Sequence, residues 1–432
     1  MLHRSRLNLA IMLLFVLSLS AACTSTPAPP QVAAPEPPES VEKAPPALLS
    51  SDEREALFED LWQYVNQHYL FFERRTVNWA EVRTKYQTAL RQAPHDDAVR
   101  DILRQALAEV QDGHLYLKTE DNQWTDPLVF VQPDGENLVL ALVEPGSDAE
   151  RQGLKPGMLL LEIDGVPAAE AWRRSTAGTS SSTPHRQRWA GARDVLKGSE
   201  GSTVRVVAGF PGAEPIRAIL KRTVKATPFI PEYEEKTLPG GYLYVGITTM
   251  TEKHPLEKAW DAFKWAQRHN PPGLIIDVRY NKGGRDPFGF GQYLMTKPTV
   301  IGYTLDHTTG KKEQAWAYPP LKVYYGPILV LTNPGCASAC DVFATFMEQT
   351  GRAQLVGEPP AGMALSTEYH WLLFGHRIAI PFGMEVLGPE GEPVEGHPAH
   401  VAYPVVPTAA DWAAGRDPVL EKALELLASG KL

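Results

Sequence analysis

From Tyr242 to the C-terminus the sequence alternates short apolar runs with helical stretches, and this alternation constrains the fold more than any other feature. GYLYVGI, a helix over 255–268, GLIIDVR, a helix after Gly284, PILVLT and a helix after Ser338 predict an α/β core with repeated crossovers. Its active groups are expected at strand ends. One strand end is chemically suggestive: in NPGCASACD, Asn333 to Asp341, a serine stands between two alanines where the strand PILVLT meets the helix DVFATFMEQ. Small neighbours let a substrate carbonyl approach Ser338, and free N–H groups at a helix start can hold a developing oxyanion. The same serine would serve as a plain helix cap. Only partners elsewhere in the chain separate the two readings.

The chain of 432 residues, 43% hydrophobic and 22% charged, is long enough for two or three domains with a sizeable core. A net charge of −9 and the lack of a Lys/Arg block give no electrostatic reason to bind nucleic acid. Three cysteines exclude a disulfide-stapled scaffold, and no Cys/His cluster has zinc-ligand spacing, so no metal or cofactor is expected. Cys336 and Cys340 flank Ser338 at a spacing within disulfide reach, although two small buried thiols are the expected state. A thiol nucleophile at Cys340 is a weaker alternative.

The N-terminus reads as a bacterial-type export signal over 1–22: His3, Arg4 and Arg6 precede an apolar run from Leu7 to Ala22. It runs through LSLSAAC into Cys23, resembling a lipoprotein signal whose cysteine becomes lipid-modified. Ser20 stands where such signals usually carry Leu, which leaves ordinary cleavage after Ala22 as the alternative. Residues 23–49 form a tether, with eight prolines between Thr24 and Pro46. The expected location is the periplasmic side of a bacterial membrane, with an anchor through Cys23.

The body divides into three parts. Residues 50–118 read as a helical domain opened by a Ser50/Glu53 capping box. A second helix runs from Asn78 through Leu90, and a third from Asp97 to about Val110, ending at Gly113. Residues 125–226 are rich in strand signals, with Ser175 to Arg188 as a polar, mobile loop; residues 227–432 hold the α/β core.

Several motifs together resemble the tail-specific (C-terminal processing) serine proteases. They are DGH at 112–114, EPGSDAERQGLKPGMLLLEIDGVPA at 144–168, DVRYNKGG, NPGCASACD, GRAQLVGEP, VEGHP and the closing GRDPVLEKALELL. The resemblance implies a helical segment, a PDZ-like β domain and a crotonase/Clp-like α/β catalytic core. A PDZ domain grips an extended peptide by adding it as a strand.

The family has two catalytic designs. In the Ser-Lys branch the base stands 25 residues after the serine, a position held here by Met363, whose thioether has no titratable proton. Lys282 is the nearest substitute. The branch similar to tricorn protease takes its base from a histidine ahead of the PDZ domain, which implies His114; an imidazole suits proton transfer at neutral pH. That branch carries a glutamate after the serine, matched at Glu395, 57 residues on, although Pro398 and Val401-Ala402 depart from the pattern. The branch also places a serine just before the histidine, where this chain has Gly113; Glu395 is then expected to reach His114 directly or through water, with Asp112 as another orienting carboxylate. Ala339 and either Gly283 or Gly284 are the expected oxyanion donors. Asp277 and Arg279 are expected to brace their loop, and Asp341 to stabilise the helix start.

The reading is therefore a serine endopeptidase acting on exported or unfolded polypeptides, with a homo-oligomer allowed. The rivals are a non-catalytic peptide-binding protein on the same scaffold and a hydrolase of non-peptide esters or amides.

Overall fold

The computed structural model describes residues 49–118, 124–223, 230–284 and 288–432. The expected export signal, Cys23 and the tether up to residue 48 lie outside the described residues. No described helix is long and apolar enough to cross a membrane.

Three helices open the body: α1 (Ser51–His68), α2 (Trp79–Arg91) and α3 (Asp96–Ala108). The capping box forms at α1, where Ser50 Oγ accepts from the Glu53 N–H and Glu53 Oε2 from the Ser50 N–H. Helix α3 ends before Gly113, and Gln111 (φ 56°) takes the left-handed turn assigned above to the glycine. The apolar faces of these helices do not close a core alone. Leu57, Leu61, Val65, Leu103 and Leu107 pack with Leu365, Ile378 and Ile380 from the far end of the sequence. The strand after His114, Tyr116–Lys118, pairs antiparallel with Arg377–Leu387, Tyr116 opposite Ala379. This pairing carries the 112–114 segment across to the C-terminal half.

The middle of the chain forms an antiparallel sheet in the order Val129–Asp134, Asn137–Val143, Leu159–Ile163, Thr203–Gly209 and Ile216–Lys221. A one-turn helix, α4 (Asp148–Arg151), is capped by Ser147. The polar stretch read as a mobile loop is mostly helical: α5 (Ala168–Ala177) and α6 (Pro184–Asp194) leave only 178–183 as a connection. Pro184 opens α6 in its first turn, where a missing N–H costs nothing. Trp172 and Trp189 are buried, and Gly191 lies so close to Thr176 that a Cβ there would stand 2.3 Å from its Oγ1. Sparse apolar residues hid these helices because two tryptophans and a close crossing anchor them.

The α/β core is a six-stranded sheet. Tyr233–Leu238 pairs antiparallel with Tyr242–Ile247, followed in parallel by Leu274–Asp277, Ile328–Thr332, Gln354–Gly357 and Tyr403–Pro404. Helix α7 (Lys253–His269) and helix α8 (Ala339–Gln349) pack in one core cluster with this sheet. The helix expected after Gly284 does not form among residues 288–298, which contain a 3₁₀ turn at Gln292–Leu294. An antiparallel hairpin, Thr299–Asp306 with Lys312–Ala317, follows. Helices α9 (Ala409–Ala414) and α10 (Pro418–Ser429) close the chain. Leu274–Asp277 and Ile328–Thr332 are parallel neighbours, Leu274 opposite Ile328. Their carboxyl ends therefore deliver DVRYNKGG and NPGCASACD to the same edge.

Candidate active site

Ser338 occupies the N-cap position of α8 but does not cap it. Its side chain makes no capping hydrogen bond, and its backbone stands at φ 60°, ψ −123°. An ordinary N-cap is extended; a non-glycine residue in this region costs on the order of 1–3 kcal/mol and persists only where its surroundings impose it. The surroundings are visible. The Ser338 N–H donates to the Met363 carbonyl at 2.7 Å, the Ala337 N–H to Asn281 O at 3.0 Å and the Ala361 N–H to Cys336 O at 2.8 Å. Within the buried run from Leu331 to Cys340, Ser338 alone is partly exposed. Its hydroxyl opens on a cleft of about 800 Å3 that is also lined by His114, Gly284, Ala339 and Met363.

The two glycines of YNKGG divide their work. Gly283 (φ 82°) takes the left-handed turn, and a Cβ there would lie 2.7 Å from the Ala339 nitrogen and 2.8 Å from Ser338 Cβ. Its N–H donates to Asn281 Oδ1 at 2.8 Å, so it is not the oxyanion donor. Gly284 lines the cleft, and among the described residues neither its N–H nor that of Ala339 has an acceptor. Of the expected donors, Gly284 and Ala339 thus keep free N–H groups among the described residues, and Gly283 does not.

His114 is buried, 7% exposed, and burial is the main reason its imidazole is held below the usual pKa. Asp112 opposes that shift and Arg75 adds to it. The neutral ring is therefore the resting form, with Nδ1 lacking a hydrogen-bond partner among the described residues. No hydrogen bond joins His114 to Ser338, although both line the same cleft. Among the described residues neither expected carboxylate hydrogen-bonds the ring. Asp112 Oδ1 accepts from the His114 backbone N–H at 2.8 Å, while its Oδ2 accepts from Tyr69 Oη at 2.6 Å and from Arg75 at 2.9 Å. The same Arg75 nitrogen donates to Glu395 Oε1 at 2.9 Å, and Glu395 Oε2 accepts from the Ala364 N–H at 2.9 Å. One guanidinium thus bridges two buried carboxylates. Burial first, and the Asp112 charge second, push Glu395 up to about 7, against the pull of Ser182 and Arg75.

Residues 241–398 match the family model described as peptidase family S41, and residues 50–108 match the tricorn protease C1 domain. The α/β core of the chain therefore carries a peptidase family S41 domain. A carboxyl-terminal-processing protease of Picosynechococcus sp. is 23% identical over 351 residues, spanning 77% of this chain and 79% of that one. A carboxyl-terminal-processing protease of Synechocystis sp. is 25% identical over 348 residues, 78% of this chain and 77% of the relative. The solved structure of mature CPAF complexed with lactacystin shares the fold with a TM-score of 0.69 at 14% identity, over 87% of this chain and 99% of that one. The photosystem II D1 C-terminal processing protease gives a TM-score of 0.51 at 22% identity, over 84% and 96% of the two chains.

The protein is a peptidase of the serine type, and several features around its cleft were not read from the sequence. Cys336 and Cys340 form a disulfide with Cα atoms 5.3 Å apart, in place of the expected free thiols. The bridge encloses Ser338 in a short covalent ring and removes Cys340 as a thiol nucleophile. Asp341 does more than favour the helix start: fully buried, its Oδ1 accepts from the Gly362 N–H at 2.7 Å and its Oδ2 from the Met363 N–H at 3.1 Å. Burial pushes this carboxyl up to about 8, although both N–H groups favour its anion. Asp277 and Arg279 do brace their loop, and Arg279 reaches Asp417 at 2.8 and 2.6 Å.

Arg75 and Ser182 are the residues that sequence reasoning missed. Arg75 lies between α1 and α2, where no periodicity marks it. Ser182 had one indirect signal, the hydroxyl absent at position 113. Its Oγ accepts from the Gly113 N–H at 3.0 Å, and it lies beside Glu395, where it favours the charged carboxylate. Gly113 has no room for a side chain: a Cβ would stand 2.2 Å from Met363 Cε and 2.9 Å from Met363 Cγ.

Proposed function

We propose that this peptidase cleaves extended polypeptides with Ser338 as nucleophile and His114 as general base. The observation that carries the assignment is the strained, uncapped serine opening on a cleft shared with a buried, neutral imidazole. His114 takes the Ser338 proton as Oγ attacks the scissile carbonyl, and the N–H groups of Ala339 and Gly284 hold the oxyanion. The imidazolium so formed is favoured by the Asp112 charge, while Arg75, which opposes it, is neutralised by the two carboxylates it bridges. Glu395 acts in this scheme through Arg75 and Asp112. A fluorophosphonate label checks the nucleophile: modification at Ser338, found by peptide mass mapping, is expected, and labelling elsewhere would reject it.

Ser182 supplies from the middle of the chain the hydroxyl that Gly113 lacks, and we read it as a positioning residue. In Ser182→Ala, Glu395 loses a group that keeps it charged, so its pKa rises above the present value of about 7. The acid limb of kcat/KM should then move to higher pH, with a loss of about tenfold at neutral pH. Ser182→Thr, which retains the hydroxyl, should restore the profile. An unchanged profile in Ser182→Ala would show that the residue is merely structural.

The sheet over 129–221 with its 153–157 turn supports reading this part as a PDZ domain that binds the substrate's extended end, attached to a crotonase/Clp-like core. Export, anchorage through a lipidated Cys23 and assembly into a homo-oligomer belong to the same reading.

A further inference from the structure

The cleft at Ser338 carries an unbalanced charge. Among its described lining residues the basic side chains besides His114 are Arg186 and Lys282; no carboxylate lines the cleft, and the acidic charges that act on the two are Asp194 and, for Arg186, also the buried Asp341. Both also line an adjoining cavity of about 450 Å3, together with Arg104, Lys197 and Asp194. Asp194 is already engaged, at 2.6 Å by Lys197 and 3.8 Å by Arg104. Neither Arg186 nor Lys282 forms an ion pair among the described residues. Arg186 is fixed by donating to the Pro334 carbonyl at 2.9 Å and by stacking on Trp189, its guanidinium carbon 4.8 Å from a ring centroid. Lys282 is fixed at its root, where its N–H donates to Thr248 O at 3.3 Å and its neighbour Gly283 abuts Ser338. Burial, then the crowding by Lys197, Arg193 and Arg186, holds the Lys282 amine below its usual pKa. A bound anion would relieve both costs.

The geometry points to an anion subsite, made by Arg186 and Lys282 beside the nucleophile, that takes a substrate carboxylate close to the cleaved bond. An extended chain advances about 3.3 Å per residue, so the long lysine side chain next to Gly283 covers roughly three residues from the scissile carbonyl. Two sources of carboxylate fit: the free α-carboxylate of a chain end, or an aspartate or glutamate side chain. The inference rests on Ser338 as nucleophile for its meaning, but its test does not.

One peptide series decides it, pairing Glu with Gln at each of the three positions on either side of the cut and a free C-terminus with its amide. The wild type should prefer the carboxylate partner about tenfold in kcat/KM at one position or at the terminus, the scale of one charge-assisted hydrogen bond. The position that responds names the source. Lys282→Met and Arg186→Met should each lower the preference below threefold, and Lys282→Arg should keep it. In parallel, Ser338→Ala protein is titrated with the same fluorescent peptides, and the same preference should appear in Kd and weaken from 0.05 to 0.5 M salt. Ratios within twofold throughout, in kinetics and in binding alike, would overturn the subsite. Cleavage that survives in Ser338→Ala would instead overturn the nucleophile and leave the binding ratios to decide the subsite.

Discussion

Ser338→Ala is expected to lower peptide hydrolysis by roughly 10⁴-fold or more, because removing a nucleophile leaves only binding and oxyanion stabilisation. Its fold should persist, since the hydroxyl makes no capping hydrogen bond. Ser338→Gly separates catalysis from stability more sharply. Glycine adopts φ 60° without the clash that a Cβ makes, so this variant should unfold at a higher temperature than wild type while being equally inactive. Activity against an unfolded protein and a thermal melt on the three proteins test both statements. Full cleavage by either variant would remove Ser338 from the chemistry. A Ser338→Gly melt at or below that of wild type would mean that the observed backbone is not strained.

His114→Gln is expected to cost about 10²- to 10⁴-fold in kcat/KM, the usual contribution of a positioned base. The pH profile carries more information than the loss itself. Desolvation disfavours the imidazolium, so the ring stays neutral at lower pH than a free histidine. In wild type the limb owed to His114 should thus have its midpoint below the ordinary value near 6.5. Glu395, pushed up to about 7, adds a second limb near neutrality, so two acid limbs are expected in the wild-type profile. A single limb above neutrality that vanishes in Lys282→Met, with activity retained in His114→Gln, would transfer the base to Lys282.

Much of this arrangement is legible in the sequence wherever the signal is periodic or covalently local. Helices α1 and α2 form where they are anticipated and bury Leu57, Leu61, Val65, Trp79, Val82, Tyr86 and Leu90. The strands Tyr242–Ile247, Leu274–Asp277 and Ile328–Thr332 fall within their apolar runs. Ser338, Gly284 and Ala339 come together because two parallel strands end side by side, which the alternating pattern implies. Helices α5 and α6 were hidden because their apolar content is two tryptophans and a few alanines. The Arg75 bridge was hidden for another reason. It joins side chains 37 and 320 residues apart in sequence through a single guanidinium, and no local pattern encodes such a contact.

The contact between Gly113 and Met363 limits how this site can change by single steps. A serine introduced at 113 would drive its Cβ into the methionine, which would have to shift within the cavities it lines. A lysine introduced at 363 would bring a further candidate base into a cleft already lined by Arg186 and Lys282. Positions 113 and 363 are therefore coupled through contact, and a side chain at the first is expected to need a shorter one at the second.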